Sequence, residues 1–206
     1  MAYKDFTLSD LRDRFKIENT ITNLFDGVTL SESTPSDFLK QQLEEAQELP
    51  VKSEKARSEL IISPILLELR RKNDKFFTIY SGDSLIVDKN KGLTGECDFI
   101  LAKDTGSFSI NIPILAIVEA KRQDMELGIN QCAAQLYGAY LLNQKSGISL
   151  DKIYGCVTTA DDWKFMRLQE GVIQIDRVTY YKSELGKILG IFQEIINFYK
   201  KQFQAA

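Results

Sequence analysis

The sequence predicts an α/β fold in which a mixed sheet is flanked by helices. Three observations predict it. Apolar residues recur at helical spacing in "ARSELIISPILLELRR" and in "SELGKILGIFQEIINFYKKQF". Residues 75–103 are crowded with β-branched and aromatic side chains. The run "IPILAIVEA" is apolar almost without interruption, as suits a strand covered on both faces.

Taken in order, residues 1–50 read as a helical N-terminal extension. "LSDLRDRFKI" and "PSDFLKQQLEEAQEL" both space their apolar residues helically, and Ser36 after Pro35 suits a helix start. Residues 51–206 read as the main domain, the two parts making one compact unit. Past Pro50, helical spacing resumes through Ala56, Leu60, Ile61, Ile65, Leu66 and Leu69. Pro64 within it predicts a kink or a restart, because proline has no N–H to give the preceding turn. Gly82, Asn90 and Gly92 punctuate the next stretch into two strands joined by a turn. A polar loop at "DTGSFSIN" leads to the central strand. Residues 128–143 then carry small and apolar side chains spaced for a helix lying close on a sheet, with Gly138 its weak point. The strand-like runs "KIYGCVTTA", "WKFMRLQEG" and "VIQIDRVTYY" follow, broken at Asp161-Asp162 and Gly171. An amphipathic C-terminal helix closes the chain, with Ser183 placed to cap it.

Composition narrows the chemistry. A chain of 206 residues, 44% hydrophobic and with only 4 prolines, has the material for a substantial core. The formal net charge of −3 neither demands nor excludes a polyanionic partner. Cys97, Cys132 and Cys156 are far apart and odd in number, which predicts buried, reduced thiols. No apolar run approaches the roughly 18 residues of a membrane helix, and "MAYKDFTLSD" has no apolar leader core, so a cytoplasmic protein without membrane contact is expected. There is no histidine, which removes histidine triads, most zinc sites and imidazole bases. Carboxylates, lysines, hydroxyls and amides remain.

The end of the apolar run places such groups together. Side chains alternate along a strand, so Glu119 and Lys121 point the same way while Ala120 points to the other side. In "GECDFILAK", Asp98 opens another apolar strand segment, and pairing of the two strands would bring it beside Glu119. Two carboxylates and an ammonium suit Mg²⁺, which takes hard oxygen ligands, usually one or two carboxylates plus water and phosphate oxygens. The ammonium would offset charge growing on a phosphorane.

These residues resemble the PD-(D/E)XK nuclease superfamily, the restriction-endonuclease-like fold. The match is Asp98, then Glu119-Ala120-Lys121, with an acidic helix before them and a helix carrying Gln131-Cys132-Ala133-Ala134-Gln135 after them, over roughly residues 53–160. The resemblance implies an α-β-β-β-α-β core and a Mg²⁺- or Mn²⁺-dependent nuclease acting on nucleic acid, DNA above all. Asp98 and Glu119 would hold the metal, with the Ala120 carbonyl a further ligand, and Lys121 would assist the attacking water. A helix glutamate, Glu59 with Glu54 in reserve, and Gln131 or Gln135 would join them. The two glutamines lie four apart and share a helix face, whereas the two glutamates, five apart, do not quite. The family's proline before the aspartate is Cys97 here. A homodimer or a partner subunit would suit the cutting of both strands.

Plainer readings stand beside these. Glu119 and Lys121 could form a solvated strand-end ion pair of little worth. Glu54, Glu59, Gln131 and Gln135 could be polar helix edges, Asp161-Asp162 a turn, and Tyr137, Tyr140 and Trp163 core aromatics. Lys103, Lys121, Arg122 and Lys164 are the basic residues expected near the site. The rival function is a non-catalytic module of the same fold in a defence or repair complex. A phosphate-binding loop enzyme fails for want of a glycine-rich strand-to-helix turn.

Overall fold

In the computed structural model, which describes residues 1–28, 32–107 and 109–204, the β-branched and aromatic runs become strands and the helically spaced runs become helices. The strands are β1 (Glu18–Thr22), β2 (Phe77–Asp88), β3 (Leu93–Lys103), β4 (Ile114–Ala120), β5 (Lys152–Thr158), β6 (Asp162–Gln169), β7 (Val172–Asp176) and β8 (Tyr180–Tyr181). They form one sheet in the order β1-β7-β6-β5-β4-β3-β2, with β8 beside β6. The β1/β7 and β4/β5 pairs are parallel and the rest antiparallel, so the sheet is mixed.

The helices are α1 (Leu8–Phe15), α2 (Asp37–Gln47), α3 (Glu54–Arg57), α4 (Ser63–Lys72), α5 (Met125–Lys145) and α6 (Leu185–Gln204). The alternation of β5 shows how they flank the sheet. Gly155 and Val157 stand against Cys132, Leu136 and Gly128 of α5, while the ring of Tyr154, on the opposite face, lies 6.1 Å from Tyr199 of α6. Helix α4 shares the α6 side, where Leu66, Leu69, Phe192 and Ile196 meet Leu101 and Ala116.

Two local expectations are corrected. The first 50 residues are not all helical, because "ENTIT" forms β1 and adds a parallel edge strand to β7. Its polar, largely exposed side chains carry no buried face for a sequence pattern to reveal. Pro64 falls in the first turn of α4, directly after an irregular turn, where a kink or a restart was expected. A widened turn over Ser58–Ile62 joins α3 to α4, with the Ser63 N–H donating to the Ser58 carbonyl five residues back. The widened turn absorbs the donor that proline lacks. Ser183 lies inside the 3-10 turn Lys182–Glu184 that precedes α6, not at that helix's cap. By contrast, Ser36 does cap α2, accepting from the Leu39 N–H at 3.2 Å.

Candidate active site

The site forms where β3 and β4 run side by side. Their antiparallel register sets Phe99 against Val118, so Asp98 and Glu119 are the next pair across the strands and share one face. Asp98 Oδ2 accepts a 2.7 Å bond from the Ala120 N–H. Lys121 Nζ donates to Glu119 Oε1 at 2.6 Å. Gln135 Nε2, from α5, donates to Glu119 Oε2 at 2.9 Å and to the Glu96 carbonyl at 3.2 Å. Both partners of that amide are acceptors, which fixes its orientation and leaves the buried Gln135 Oε1 with no partner among the described residues. The Lys121 N–H bonds to the Thr158 carbonyl at 2.8 Å, tying the strand end to β5.

Glu119 is 1% exposed. Burial, and then the neighbouring Asp98, pushes its carboxyl up to about 8, while Lys121 and Gln135 hold it from rising further. Burial favours the neutral amine of Lys121, but Glu119, Asp98 and Glu54 outweigh it and keep the ammonium above its ordinary value. The 2.6 Å contact thus supports a carboxylate that its surroundings disfavour. It is a buried pair, not the solvated strand-end pair of the plainer reading.

A cavity of about 340 Å³ opens over these groups, lined by Glu54, Glu96, Asp98 and Glu119 and by Lys4 and Lys121. Four carboxylates against two ammonium groups is a formal surplus of two negative charges, which a divalent cation would offset. The donors are oxygens, with neither imidazole nor thiol on the wall, and so fit a hard cation such as Mg²⁺ or Mn²⁺. Among the described residues, no group of three or more His, Cys, Asp or Glu side chains stands ready to hold a metal. Asp98 and Glu119 are the two carboxylates that the strand register sets side by side.

Of the other expected residues, Gln135 joins the cluster by a direct bond and Gln131 lines the cavity. Ala120 engages Asp98 through its N–H. Of the two helix glutamates, the one expected in reserve lines the cavity itself. Glu54 lines the cavity beside Lys121, whereas Glu59 pairs with Lys55 at 3.7 Å, its side chain 62% exposed, and lines an adjoining hollow that it shares with Glu54, Glu96 and Asp98. Glu59 lies within the widened turn that joins α3 to α4. Lys103 is not near the site. It lies at the far end of β3 over the Phe203 ring. Lys164 is committed to the Arg177 carbonyl, Arg122 is exposed, and Trp163 is core. The three cysteines are free and buried, as expected.

Sequence reasoning missed the N-terminal contribution. The 3-10 turn Tyr3–Asp5 brings Lys4 to the cavity, anchored by Tyr3 at 1% exposure. Two helix glycines are the signal that could have pointed to close contacts. A Cβ at Gly138 would stand 2.2 Å from Tyr3 Oη, and one at Gly128 would stand 2.9 Å from Lys121 Cγ and 2.4 Å from Val157 Cγ1. No protein-family model matches the chain, and a search of curated proteins returns no match.

Proposed function

We propose that the protein is a Mg²⁺- or Mn²⁺-dependent nuclease that hydrolyses phosphodiester bonds in nucleic acid, with DNA as the substrate, built on a restriction-endonuclease-like core. One observation carries the reading: Asp98, Glu119 and Lys121 meet at one cavity, with Gln135 of the following helix bonded to Glu119 behind them. The chain order α4, β2, β3, β4, α5, β5 supports the α-β-β-β-α-β core. Three free, buried cysteines go with a reducing, cytoplasmic setting. Among the described residues, no helix is long and apolar enough to cross a membrane.

Asp98 and Glu119 would hold the cation. The chemistry a bound Mg²⁺ supplies is polarisation of a phosphodiester oxygen and acidification of a water molecule. The chain's own residues do the rest. The Ala120 N–H locks Asp98 in place, and Gln135 holds the far oxygen of Glu119. Lys121, on the cavity wall, would orient the attacking water and offset charge that grows only in the transition state. Glu54 and the Lys4 ammonium border the same space and limit which parts of a strand enter it.

The test is conversion of supercoiled plasmid, and of labelled single-stranded DNA and RNA, with metal or with chelator. Wild type is expected to cut with Mg²⁺ or Mn²⁺ and to stop with chelator. Lys121→Ala should lose cleavage on the order of a hundredfold or more, as removal of one preorganised charge-stabilising group does, and should still bind nucleic acid. Asp98→Asn should lose metal binding as well. Undiminished cutting by Lys121→Ala would refute this assignment of the site.

A further inference from the structure

A second polar hollow lies one residue along the same strand end. Lys121 is tied to the Thr158 carbonyl, and the next carbonyl, that of Thr159, accepts from Arg57 Nη1. Arg57 sits three residues after Glu54 on α3 and also reaches Asp161 Oδ2 at 3.3 Å. Lys182 approaches the other oxygen of Asp161 at 2.7 Å. These three groups border a hollow of about 230 Å³ with an apolar back wall that includes Leu43, Leu49 and Ile61. Two cations share one carboxylate there, and the buried Arg57 Nε finds no acceptor among the described residues. The hollow is therefore formally positive, while the neighbouring catalytic cavity is formally negative.

We propose that this hollow is a phosphate subsite that holds a backbone phosphodiester of the substrate strand flanking the one that is cut. The inference rests on the nuclease reading. A strand fixed only at the scissile phosphate is free to pivot, and a second contact sets its direction across the site. The catalytic cavity cannot supply that contact well, because its carboxylates repel every phosphate not neutralised by a cation. Arg57 and Lys182 offer a cationic pair beside the same strand end. Asp161 holds the two side chains in place but competes with the phosphate for them, and this gives the proposal a sign that a structural role does not share. If the trio only ties α3 to the β5–β6 bend, removing any member loosens it. If it is a phosphate subsite, removing the competing carboxylate strengthens binding.

The experiment measures binding of labelled single-stranded and duplex DNA to the Lys121→Ala protein in Mg²⁺ across a range of salt, with melting curves for each further variant. Adding Lys182→Ala, or Lys182→Gln, should weaken binding about tenfold, the loss of one charge-assisted contact. It should also lower the slope of log affinity against log salt by about 0.7–0.9, the value for one phosphate contact. Adding Asp161→Asn should tighten binding several-fold. Unchanged affinity and slope in both Lys182 variants, or weaker or unchanged binding by Asp161→Asn, would overturn the subsite while leaving the nuclease reading intact. If the Lys121→Ala protein itself binds no nucleic acid and wild type cuts none, the nuclease reading falls and the subsite with it.

Discussion

Glu119 sits between two opposing demands: burial at 1% exposure favours its neutral form, and Lys121 at 2.6 Å favours its anion. Burial wins in direction, raising the carboxyl to about 8. A carboxyl raised on folding stabilises the fold below its unfolded pKa of about 4.3 and loses that contribution as pH climbs through the folded value. The metal-free protein should therefore lose stability relative to Glu119→Gln between pH 5 and 9, with most of the change complete just above pH 8. Paired melting curves in chelator test this, and parallel pH profiles for the two proteins would refute it. That Glu119 and Lys121 share a face was legible from strand alternation alone. Which glutamine bonds Glu119 was not, because Gln131 and Gln135 share a helix face and only the seating of α5 on the sheet separates them.

At the scale of elements, close approach explains residues that local propensity disfavours. Alanine at position 138 would gain about 1 kcal/mol of helix propensity, yet its Cβ would fall 2.2 Å from Tyr3 Oη. Overpacking of this kind costs about 1–3 kcal/mol, so Gly138→Ala should lower the melting temperature, and a rise would contradict the packing described. On the other side of the sheet, Glu68 of α4 accepts from the Ser36 N–H and hydroxyl, both at 2.9 Å, and pairs with Arg71 and Lys72. Burial alone would raise Glu68, but the Ser36 bonds and the two cations outweigh it and lower its pKa. A lowered carboxyl contributes stability above its unfolded pKa and loses it as pH falls through the folded one. Glu68→Gln should thus cost about 1.5–3 kcal/mol at neutral pH, as lost hydrogen bonds to a charged group do. The gap should close toward acid in denaturant titrations, and a gap independent of pH would show that the charge is idle. The capping role of Ser36 was readable from sequence, but its bond to Glu68 joins residues 32 positions apart and was not.

For the whole molecule, the first 28 residues take part in both core and site. Tyr3, Phe6, Leu11 and Leu24 belong to the same buried cluster as Ile117 and Leu136, β1 extends the sheet at β7, and Lys4 borders the candidate cavity. A fragment of residues 51–206 is therefore expected to melt without a cooperative transition, or far below the full chain, because it uncovers the apolar face that Tyr3 and Phe6 close. A fragment that melts cooperatively at the temperature of the full chain would show that the N-terminal part is dispensable.

The sequence by itself determined the kinds of element, their order and the available chemistry. Helical and strand periodicity are local, and a chain without histidine leaves any polar chemistry to carboxylates, lysines, hydroxyls and amides. The tertiary structure supplied the register that sets Asp98 beside Glu119, a pairing the sequence could only suggest, and it alone decided that Glu54 rather than Glu59 lines the cavity with Lys121. It also decided that an N-terminal turn completes the cavity wall. Each of these depends on the register between strands, the winding of one turn before Pro64, or the rotation of a helix on the sheet. Those quantities are set by the packing of the whole core, through contacts that span tens of residues and leave no mark in any short window of sequence.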